Sequence, residues 1–490
     1  MSDARAAEPG ISPAPAPLTP WIWATYGWAV LVTLGMAYFL VKMPFQISDL
    51  HANLLLLREH TLGELLRTNF AGGPYFRPFL WGVLKVVFDA SGGHYYAVYK
   101  AVEVFQVGLL LLLFARLMAV RTRADFVVVP FAFTVLVGMH TFSTLVVENY
   151  PINHFLSVSV YVLAVINLAE SKGGWLVDVV AVVLLALAML TLESGLLAWV
   201  AIAAAYLARA RGVSTRGFVV ATALLAAYFY LRFAVLGGGT PGLDERSSGW
   251  WFRRAEPSEL QAMFGANATW FHAYNVLSSF AGILFAEPRM GVWIYLRALV
   301  TPEYRVDPWM TINVVSSTLT SLVIIVYSVS RLPRWIRRQV EPEERLVIVF
   351  WAVAMANAVL SYAYTKELII SVAGCVYPLV AFVAVRNLVH ARRATESALR
   401  VAVIVLLLAV SATWTLRAVG LHYNLTIAAA KNRDTWCDLP RWMRQNNWTP
   451  RDDPEWQFVL ALQRQAVMMP VASAFEVYGY FGNRYFDQGP

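Results

Sequence analysis

Long apolar stretches recur along most of the 490-residue chain. The first runs from Trp21 to Met43, directly before Pro44, and as a helix it would extend about 35 Å, enough to cross about 30 Å of hydrocarbon. Ten further runs follow, so the sequence predicts an all-α polytopic membrane protein with about eleven transmembrane helices. These ten runs lie near residues 95–118, 125–146, 152–169, 175–192, 195–208, 217–236, 308–330, 346–364, 368–389 and 399–418.

The composition excludes two broad classes of protein. Hydrophobic residues make up 58% of the chain and charged residues only 14%, whereas a soluble globular protein carries about 25% charged residues. A cytosolic globular enzyme and a disordered chain are therefore both excluded. The net charge is +8, from 39 Lys and Arg against 31 Asp and Glu. Because most of the excess lies in short loops between apolar runs, we attribute it to membrane orientation and predict no nucleic-acid partner.

Basic residues are concentrated in alternate connectors between the apolar runs. Short loops that contain Lys and Arg tend to stay on the cytoplasmic side, so this alternation predicts a cytoplasmic N-terminus and an outer C-terminus. The basic connectors contain Arg116, Arg121 and Arg123; Lys172; Arg209, Arg211 and Arg216; Arg331, Arg334, Arg337 and Arg338; and Arg386, Arg392, Arg393 and Arg400.

Three regions follow from this topology. Residues 1–20 are rich in Pro and Ala and predict a flexible cytoplasmic tail, residues 21–420 form the transmembrane domain, and residues 421–490 form a small domain on the outer face. The transmembrane domain carries two long outer loops, 44–94 and 237–308.

Parts of both outer loops have the pattern of helices. In the first loop, Leu50 to Leu66 and Phe79 to Phe88 show helical apolar periodicity but are too short or too polar to span, so we predict juxtamembrane helices there. In the second loop, residues 269–285 form a borderline run that either spans the membrane or lies at its interface.

Acidic residues at the outer ends of the spans are candidates for chemistry, because a bilayer makes such residues costly. Asp49 follows the first span and can accept a proton from a hydroxyl nucleophile; alternatively, it caps the helix that begins at Leu50. Glu148 ends the run 125–146 on the same face and is the second catalytic candidate. Glu193, in the turn Leu192-Glu193-Ser194-Gly195, is a candidate for binding substrate. For both glutamates the alternative is a water-exposed residue at a helix end.

Basic side chains on the same face are candidates for binding an anionic substrate. Arg77 follows the turn Gly72-Gly73-Pro74-Tyr75-Phe76 and can pair with a phosphate, or it is an ordinary arginine that extends to the interface. Lys366 is the lone cation of the short outer connectors, and its alternative role is to pair with Glu367 or to extend to the interface as an ordinary lysine. Three more residues are included as substrate-binding candidates, namely His51, Arg58 and His154.

The sequence gives no sign of a resident metal or cofactor. It contains no dinucleotide-binding, Walker, zinc-protease or Asp-x-Asp motif, and its eight histidines show no ligand spacing. We assign no metal site and no definite cofactor, although a divalent metal would be compatible with the predicted chemistry.

The order of these features resembles that of the GT-C-fold glycosyltransferases, polytopic enzymes that use lipid-phosphate-linked sugars. The resemblance rests on the first span, Asp49 at the start of the first outer loop, two surface helices, the turn Arg77-Pro78-Phe79, and the acidic turn Thr191 to Gly195. It covers roughly residues 21–420 and is to polyprenyl-phosphate-sugar-dependent mannosyltransferases and aminoarabinose transferases. It implies that Asp49 acts as base or positions the acceptor, that Glu148 matches the acid of the second outer loop, and that Lys366 binds the carrier phosphate.

The resulting expectation is an integral glycosyltransferase of the bacterial inner membrane. It would move a sugar from a polyprenyl-phosphate donor to a glycan, lipid or protein acceptor on the periplasmic face, with inversion expected from the resemblance alone. A carboxylate would deprotonate the acceptor hydroxyl and a cation would stabilise the departing phosphate. Two alternatives stay open: a transporter or flippase for a lipid-linked substrate, which needs polar residues deep within spans, and a non-catalytic membrane scaffold.

Overall fold

The computed structural model describes residues 19–42, 50–71, 75–147, 153–237, 268–285, 308–363, 367–391 and 401–423, with isolated positions between 247 and 301 and residue 425. Within these residues the chain is almost entirely helical. The helices are α1 (Pro20–Lys42), α2 (Leu50–Glu59), α3 (Leu62–Phe70), α4 (Pro78–Ala90), α5 (Tyr95–Leu117), α6 (Arg123–Phe126), α7 (Val129–Gly138), α8 (His140–Val147), α9 (His154–Ala169), α10 (Trp175–Thr191), α11 (Leu196–Leu207), α12 (Thr215–Phe229), α13 (Ala268–Phe285), α14 (Pro308–Ile336), α15 (Arg345–Leu360), α16 (Ser371–Ala391) and α17 (Val401–Tyr423).

Shorter elements join some of these helices. A 3₁₀ turn, Glu193–Gly195, lies between α10 and α11, and a second, Pro342–Glu344, precedes α15. A π-helical segment, Tyr230–Val235, continues α12. Two-residue strands, Ser247–Ser248 and Arg253–Arg254, pair antiparallel in the second long loop.

Six helical segments in the described part of the chain are long and apolar enough to cross a membrane. The prediction of an all-α, multi-pass membrane protein is therefore confirmed, but the count of about eleven spans is not. Helices α9, α10 and α11 are apolar yet have only 16, 17 and 12 residues. The six segments are Pro20–Val41, Ala97–Leu117, Thr215–Val235, Thr311–Ile336, Ser371–His390 and Val401–Tyr423.

The predicted continuous run 125–146 is divided into the three short helices α6, α7 and α8. The division between α7 and α8 falls at Met139, whose backbone is extended with a ψ of 136°. At this position Gly138 packs closely against Trp414 of α17, where an added Cβ would be 2.9 Å from the indole ring. The break between α6 and α7 has a local signal as well, because Pro130 lies in the first turn of α7.

Apolar side chains lie on both the inside and the outside of the bundle. Helix α16 is central: most of its residues are buried, and it packs against α7, α9, α14 and α15. On the outer helices many large apolar residues are exposed, among them Leu34 of α1 at 62% and Leu408 of α17 at 63%. Such an exterior fits a lipid environment rather than water.

One end of the bundle, which we call the arginine-rich end, contains the start of α1 and the end of α5. There the ring of Trp21 lies 5.3 Å from that of Phe126. Ion pairs connect further helices at this end: His390 with Asp125 at 2.8 Å, Arg386 with Glu343 at 2.7 Å, and Arg345 with Glu170 at 3.5 Å. Four of the five predicted basic connectors lie here in full, and the fifth is represented by Arg386.

The opposite end, which we call the Glu193 end, contains the end of α1 and the first outer loop. The ring of Phe39 lies 5.5 Å from that of His422, and the ring of Phe76 lies 6.2 Å from that of Tyr228. The two ends of the bundle therefore differ in the side chains that they carry.

The first outer loop forms a small helical layer at the Glu193 end. The predicted helix Leu50 to Leu66 is divided into α2 and α3, because Thr61 and Glu64 form a reciprocal capping box that starts a new helix. The predicted helix Phe79 to Phe88 corresponds to α4. Buried Leu57, Leu65, Leu80 and Leu84 hold the layer together.

Several predicted regions lie outside the described residues. These are most of the N-terminal tail 1–20, most of the second outer loop 237–308, and the C-terminal domain 421–490 beyond its first residues. The borderline run 269–285 is the helix α13, which packs against α15 and is not among the six candidate spans.

Gly195 is required by the tight contact between the Glu193 turn and α10, and this generates a stability prediction. A Cβ at Gly195 would lie 2.1 Å from the carbonyl oxygen of Ala188. We expect Gly195→Ala to lower the free energy of unfolding by about 1–3 kcal/mol, because the obstruction is backbone and must shift. The control Gly27→Ala, which meets nothing within 4 Å, should be neutral or stabilise by up to about 1 kcal/mol. The free energy of unfolding of both variants is measured in mixed micelles. An equal change in Gly195→Ala and Gly27→Ala would contradict the packing argument.

Candidate functional site

A carboxylate at the Glu193 end is held between two guanidinium groups. Arg77 donates to Glu193 through Nε, at 3.1 Å from Oε2, and through Nη2, at 2.6 Å from the same oxygen. Nη1 of Arg232 lies 3.3 Å from Oε1 of Glu193. We call Arg77, Glu193 and Arg232 the charge cluster.

Arg77 is positioned by the chain on both sides of it. It is the N-cap residue of α4, and Pro78, whose fixed φ suits the first helical turn, follows it. The backbone N–H of Arg77 donates to Oδ1 of Asn69 at 3.1 Å, which connects α4 to α3. Its guanidinium carbon lies 4.4 Å from the centre of the Tyr75 ring, a cation–π distance. The side chain is therefore oriented before any ligand arrives.

Glu193 is positioned by the turn between α10 and α11. Leu192 is extended, with φ −160° and ψ 153°, and the N–H of Gly195 then donates to the carbonyl of Leu192 at 2.8 Å. This 3₁₀ turn ends α10 and directs Glu193 toward α4. The side chains of Glu193 and Arg77 retain 23% and 20% exposure, so the pair is partly open to water.

Arg232 comes from the π-helical end of α12, within the candidate span Thr215–Val235. It is almost fully buried, with 3% exposure. Its Nη1 donates to the hydroxyl of Tyr228 at 2.8 Å, one turn earlier in the same helix. Single π-helical turns are often found at functional sites, because the extra residue per turn redirects side chains.

The two arginines control the charge state of Glu193. Burial alone would raise the pKa of this carboxyl, but the charge and hydrogen bonds of Arg77, with a further contribution from Arg232, outweigh burial and hold the pKa below its ordinary value. Glu193 is therefore ionised at neutral pH. The charge cluster then carries two positive charges and one negative charge, an excess of one positive charge.

The structure brings together three of the residues selected from the sequence. Arg77 and Glu193 form the ion pair described above, and His154, at the start of α9, is buried and within electrostatic reach of Arg77. Asn153 caps α9 by accepting from the N–H of Leu156 at 3.0 Å, which fixes the position of His154.

The remaining selected residues are not placed at the charge cluster by the structure. Arg58 is exposed on α2, and its charge acts on Tyr95 at the start of α5. His51 belongs to α2, but its side chain lies outside what the structure describes. The two catalytic candidates Asp49 and Glu148, and the phosphate-binding candidate Lys366, also lie outside the described residues.

Sequence reasoning missed Arg232. It lies within the apolar run 217–236, whose hydropathy predicts only a span. The available signal was an arginine between Leu231 and Phe233, because an ionisable residue inside a span is a functional candidate by default.

The charge cluster can bind an anion. Guanidinium groups have five N–H donors. Those at Nε and Nη2 of Arg77 bind Glu193, whereas Nη1 has no hydrogen bond within the described residues. A phosphate oxygen could accept from Nη1 while Glu193 keeps the guanidinium in place. Among the described residues no three His, Cys, Asp or Glu side chains are grouped to hold a metal ion.

A second buried ion pair lies at the same end, within the first turns of α5. Nζ of Lys100 is 3.2 Å from Oε2 of Glu103, and both side chains are at most 7% exposed. Charged side chains are this deeply buried only when they are paired or coordinated. The pair contributes no net charge to this end.

Comparison with protein-family models, with curated proteins and with solved structures gives no match for this chain. Any assignment of function must therefore be argued from its own residues.

The charge cluster predicts a pH-dependent contribution to stability. Glu193→Gln should lower the free energy of unfolding at neutral pH by about 2 kcal/mol, below the 3–5 kcal/mol of a fully buried broken pair because Glu193 is partly exposed. Because the folded-state pKa is lowered, the stabilisation is complete above the ordinary value of 4.5 and is lost as the pH falls through the folded value. The difference in the free energy of unfolding between wild type and Glu193→Gln should therefore become smaller below about pH 4.5.

The matched control is Glu59→Gln, which removes an exposed carboxyl from the end of α2. It should change stability by less than about 0.5 kcal/mol. The free energy of unfolding of both variants is measured in mixed micelles between pH 3 and 8. An equal loss of stability in the two variants over this range would contradict the argument.

Proposed function

We propose that this protein is a membrane glycosyltransferase that moves a sugar from a polyprenyl-phosphate donor to a glycan, lipid or protein acceptor at the periplasmic face of a bacterial inner membrane. The observation that carries the proposal is the positive charge cluster of Arg77, Glu193 and Arg232, held where the first outer loop meets the ends of α10 and α12. In this proposal the arginine-rich end and the N-terminus are cytoplasmic, and the Glu193 end faces the periplasm.

The cluster suits the phosphate of a lipid-linked donor. Arg232 lies near the end of a candidate span, so a phosphate at this level would leave its polyprenyl chain in the bilayer. Negative charge grows on that phosphate as the bond to the sugar breaks, and fixed guanidinium groups stabilise it without reorganising. We assign donor-phosphate binding to Arg77 and positioning of the two arginines to Glu193, with Lys366 as a further phosphate contact.

The acceptor side of the reaction rests on the sequence. Asp49 lies between α1 and α2, and it would remove the proton from the acceptor hydroxyl as that oxygen attacks the anomeric carbon. Glu148 follows α8 and would assist it. His51, Arg58 and His154 would contact donor or acceptor. Attack opposite to the leaving phosphate gives inversion.

A transporter or flippase for a lipid-linked substrate is the second candidate, and specific observations favour it. The buried pair Lys100–Glu103 lies in the candidate span Ala97–Leu117, and buried Arg417 lies in the candidate span Val401–Tyr423. Buried charged residues inside spans are typical of substrate pathways. Sugar turnover distinguishes the two functions, since a transporter would bind the lipid without breaking its sugar–phosphate bond.

A transfer assay tests the proposal with Asp49→Asn. Purified full-length protein is given a panel of labelled polyprenyl-phosphate hexoses and pentoses with envelope extract as acceptor, and release of polyprenyl phosphate is measured. We expect wild type to release it and Asp49→Asn to be at least about 100-fold slower, because a general base contributes roughly 10²–10⁴ in rate.

The matched control is Asp89→Asn, in the same loop, whose carboxylate is 57% exposed and pairs only with Lys85 among the described residues. It should keep full activity. Full activity in Asp49→Asn would remove Asp49 from the mechanism, and donor binding without release by wild type would favour the transporter.

A further inference from the structure

A cavity of about 750 Å³ lies at the arginine-rich end, where the ends of α11 and α14 meet the start of α15. Five arginines and a single glutamate, Glu341, provide its charged lining. We call it the arginine cavity. Its volume is within the usual range of small-molecule sites, roughly 300–1,000 Å³. The five arginines are Arg209, Arg211, Arg334, Arg338 and Arg345.

Two of these arginines occupy backbone positions that favour glycine. Arg209 and Arg338 have φ values of 61° and 59°, in the left-handed region. Only three non-glycine residues in the described part of the chain have positive φ, and two of them line this one cavity. Residues other than glycine are disfavoured in this backbone conformation, because their Cβ is too close to the following carbonyl oxygen.

The same motif places both residues. At the end of α11 the N–H of Arg209 donates to the carbonyl of Tyr206, and the N–H of Ala210 donates to that of Ala205. At the end of α14 the N–H of Arg338 donates to the carbonyl of Trp335, and that of Gln339 to the carbonyl of Arg334. These are two Schellman motifs, in which the left-handed residue is usually glycine.

The backbone conformation therefore gives no reason for arginine at these two positions. Positive charge near a helix C-terminus is favoured by the helix dipole, and positive charge at this end is favoured by membrane orientation. Both preferences could be met at neighbouring positions with ordinary backbone geometry. Both motifs have an arginine at the left-handed position, and both arginines line the same cavity. This arrangement points to a role for the side chains themselves.

The guanidinium groups in the cavity differ in their partners. Arg334 is paired with Glu341 at 2.5 Å and Arg345 with Glu170 at 3.5 Å. Arg209, Arg211 and Arg338 are exposed, and none of their side chains forms an ion pair within the described residues. Three cations thus face one cavity without a bound carboxylate.

We propose that the arginine cavity binds a phosphate-bearing anion. Guanidinium groups match phosphate oxygens bidentately, and several together favour a ligand with more than one negative charge. The hydroxyl of Tyr206, which lies 3.0 Å from Oγ1 of Thr215, supplies a neutral polar group to the lining. The candidate span Thr215–Val235 begins beside the cavity, so in a bilayer the cavity would lie near the headgroups. Either an anionic lipid headgroup or a soluble oligophosphate supplies this chemistry. The inference does not depend on the proposed function.

The test uses Arg209→Gly and Arg338→Gly in the purified full-length protein. Glycine suits both backbone positions, so each variant should unfold at the same temperature as wild type or higher. Binding of inorganic pyrophosphate to delipidated protein, measured by titration calorimetry at low salt, should weaken about tenfold or more in each variant. The matched control is Arg337→Ala, an exposed neighbour that does not line the cavity, which should bind as wild type does.

A competition experiment separates the two sources of phosphate. Vesicles of phosphatidic acid in phosphatidylcholine are added to the pyrophosphate-bound protein. Displacement of pyrophosphate identifies a lipid headgroup as the occupant, and persistence identifies a soluble phosphate compound. The proposal is overturned if wild type does not bind either probe, or if Arg337→Ala weakens binding as much as the two glycine variants.

Discussion

A carboxylate between two guanidinium groups connects the first outer loop to the transmembrane bundle. Glu193 ends one helix, Arg77 begins another in the outer loop, and Arg232 lies near the end of a third. An ionised carboxylate is costly to bury unless it is paired and hydrogen-bonded. Glu193 therefore requires at least one arginine beside it, and this requirement places α4 against α10. The position of the whole outer layer, α2 to α4, follows from that contact and from the leucines packed beneath it.

The two ends of the bundle use arginine differently. At the Glu193 end, Arg232 is buried and shares one carboxylate with Arg77, so the geometry of both guanidinium groups is fixed. At the arginine-rich end, Arg209, Arg211 and Arg338 are exposed around a cavity. A fixed pair suits the stabilisation of charge that develops during a reaction, whereas a ring of exposed cations suits the capture of an anion from solution or from lipid. One chain can hold both because the two groups lie at opposite ends of the spans.

Much of the architecture could be predicted from the sequence, and less of the site. Apolar runs separated by basic connectors predict the helices because length and hydropathy are local properties. The break between α6 and α7 has a local signal in Pro130, whereas the break at Met139 lies beside Trp414, far along the chain, and that contact cannot be read from the local sequence. Glu193 is a candidate because of its position at a span end and Arg77 because it follows the turn that opens α4, but their pairing depends on how α4 packs against α10. Arg232 was missed because a long apolar run concealed it. Asp49, Glu148 and Lys366 stay predictions, since they lie outside the described residues.

An experimental structure of the full-length protein with a bound polyprenyl-phosphate sugar would test directly whether the charge cluster is the donor site. We expect the phosphate at the Glu193 end, with an oxygen about 2.7–2.9 Å from a guanidinium nitrogen of Arg77. Glu193 should still contact both arginines, and the polyprenyl chain should run along the ends of α10 or α12. The assignment would be contradicted if the phosphate bound elsewhere while Arg77 and Glu193 stayed paired and made no contact with the donor.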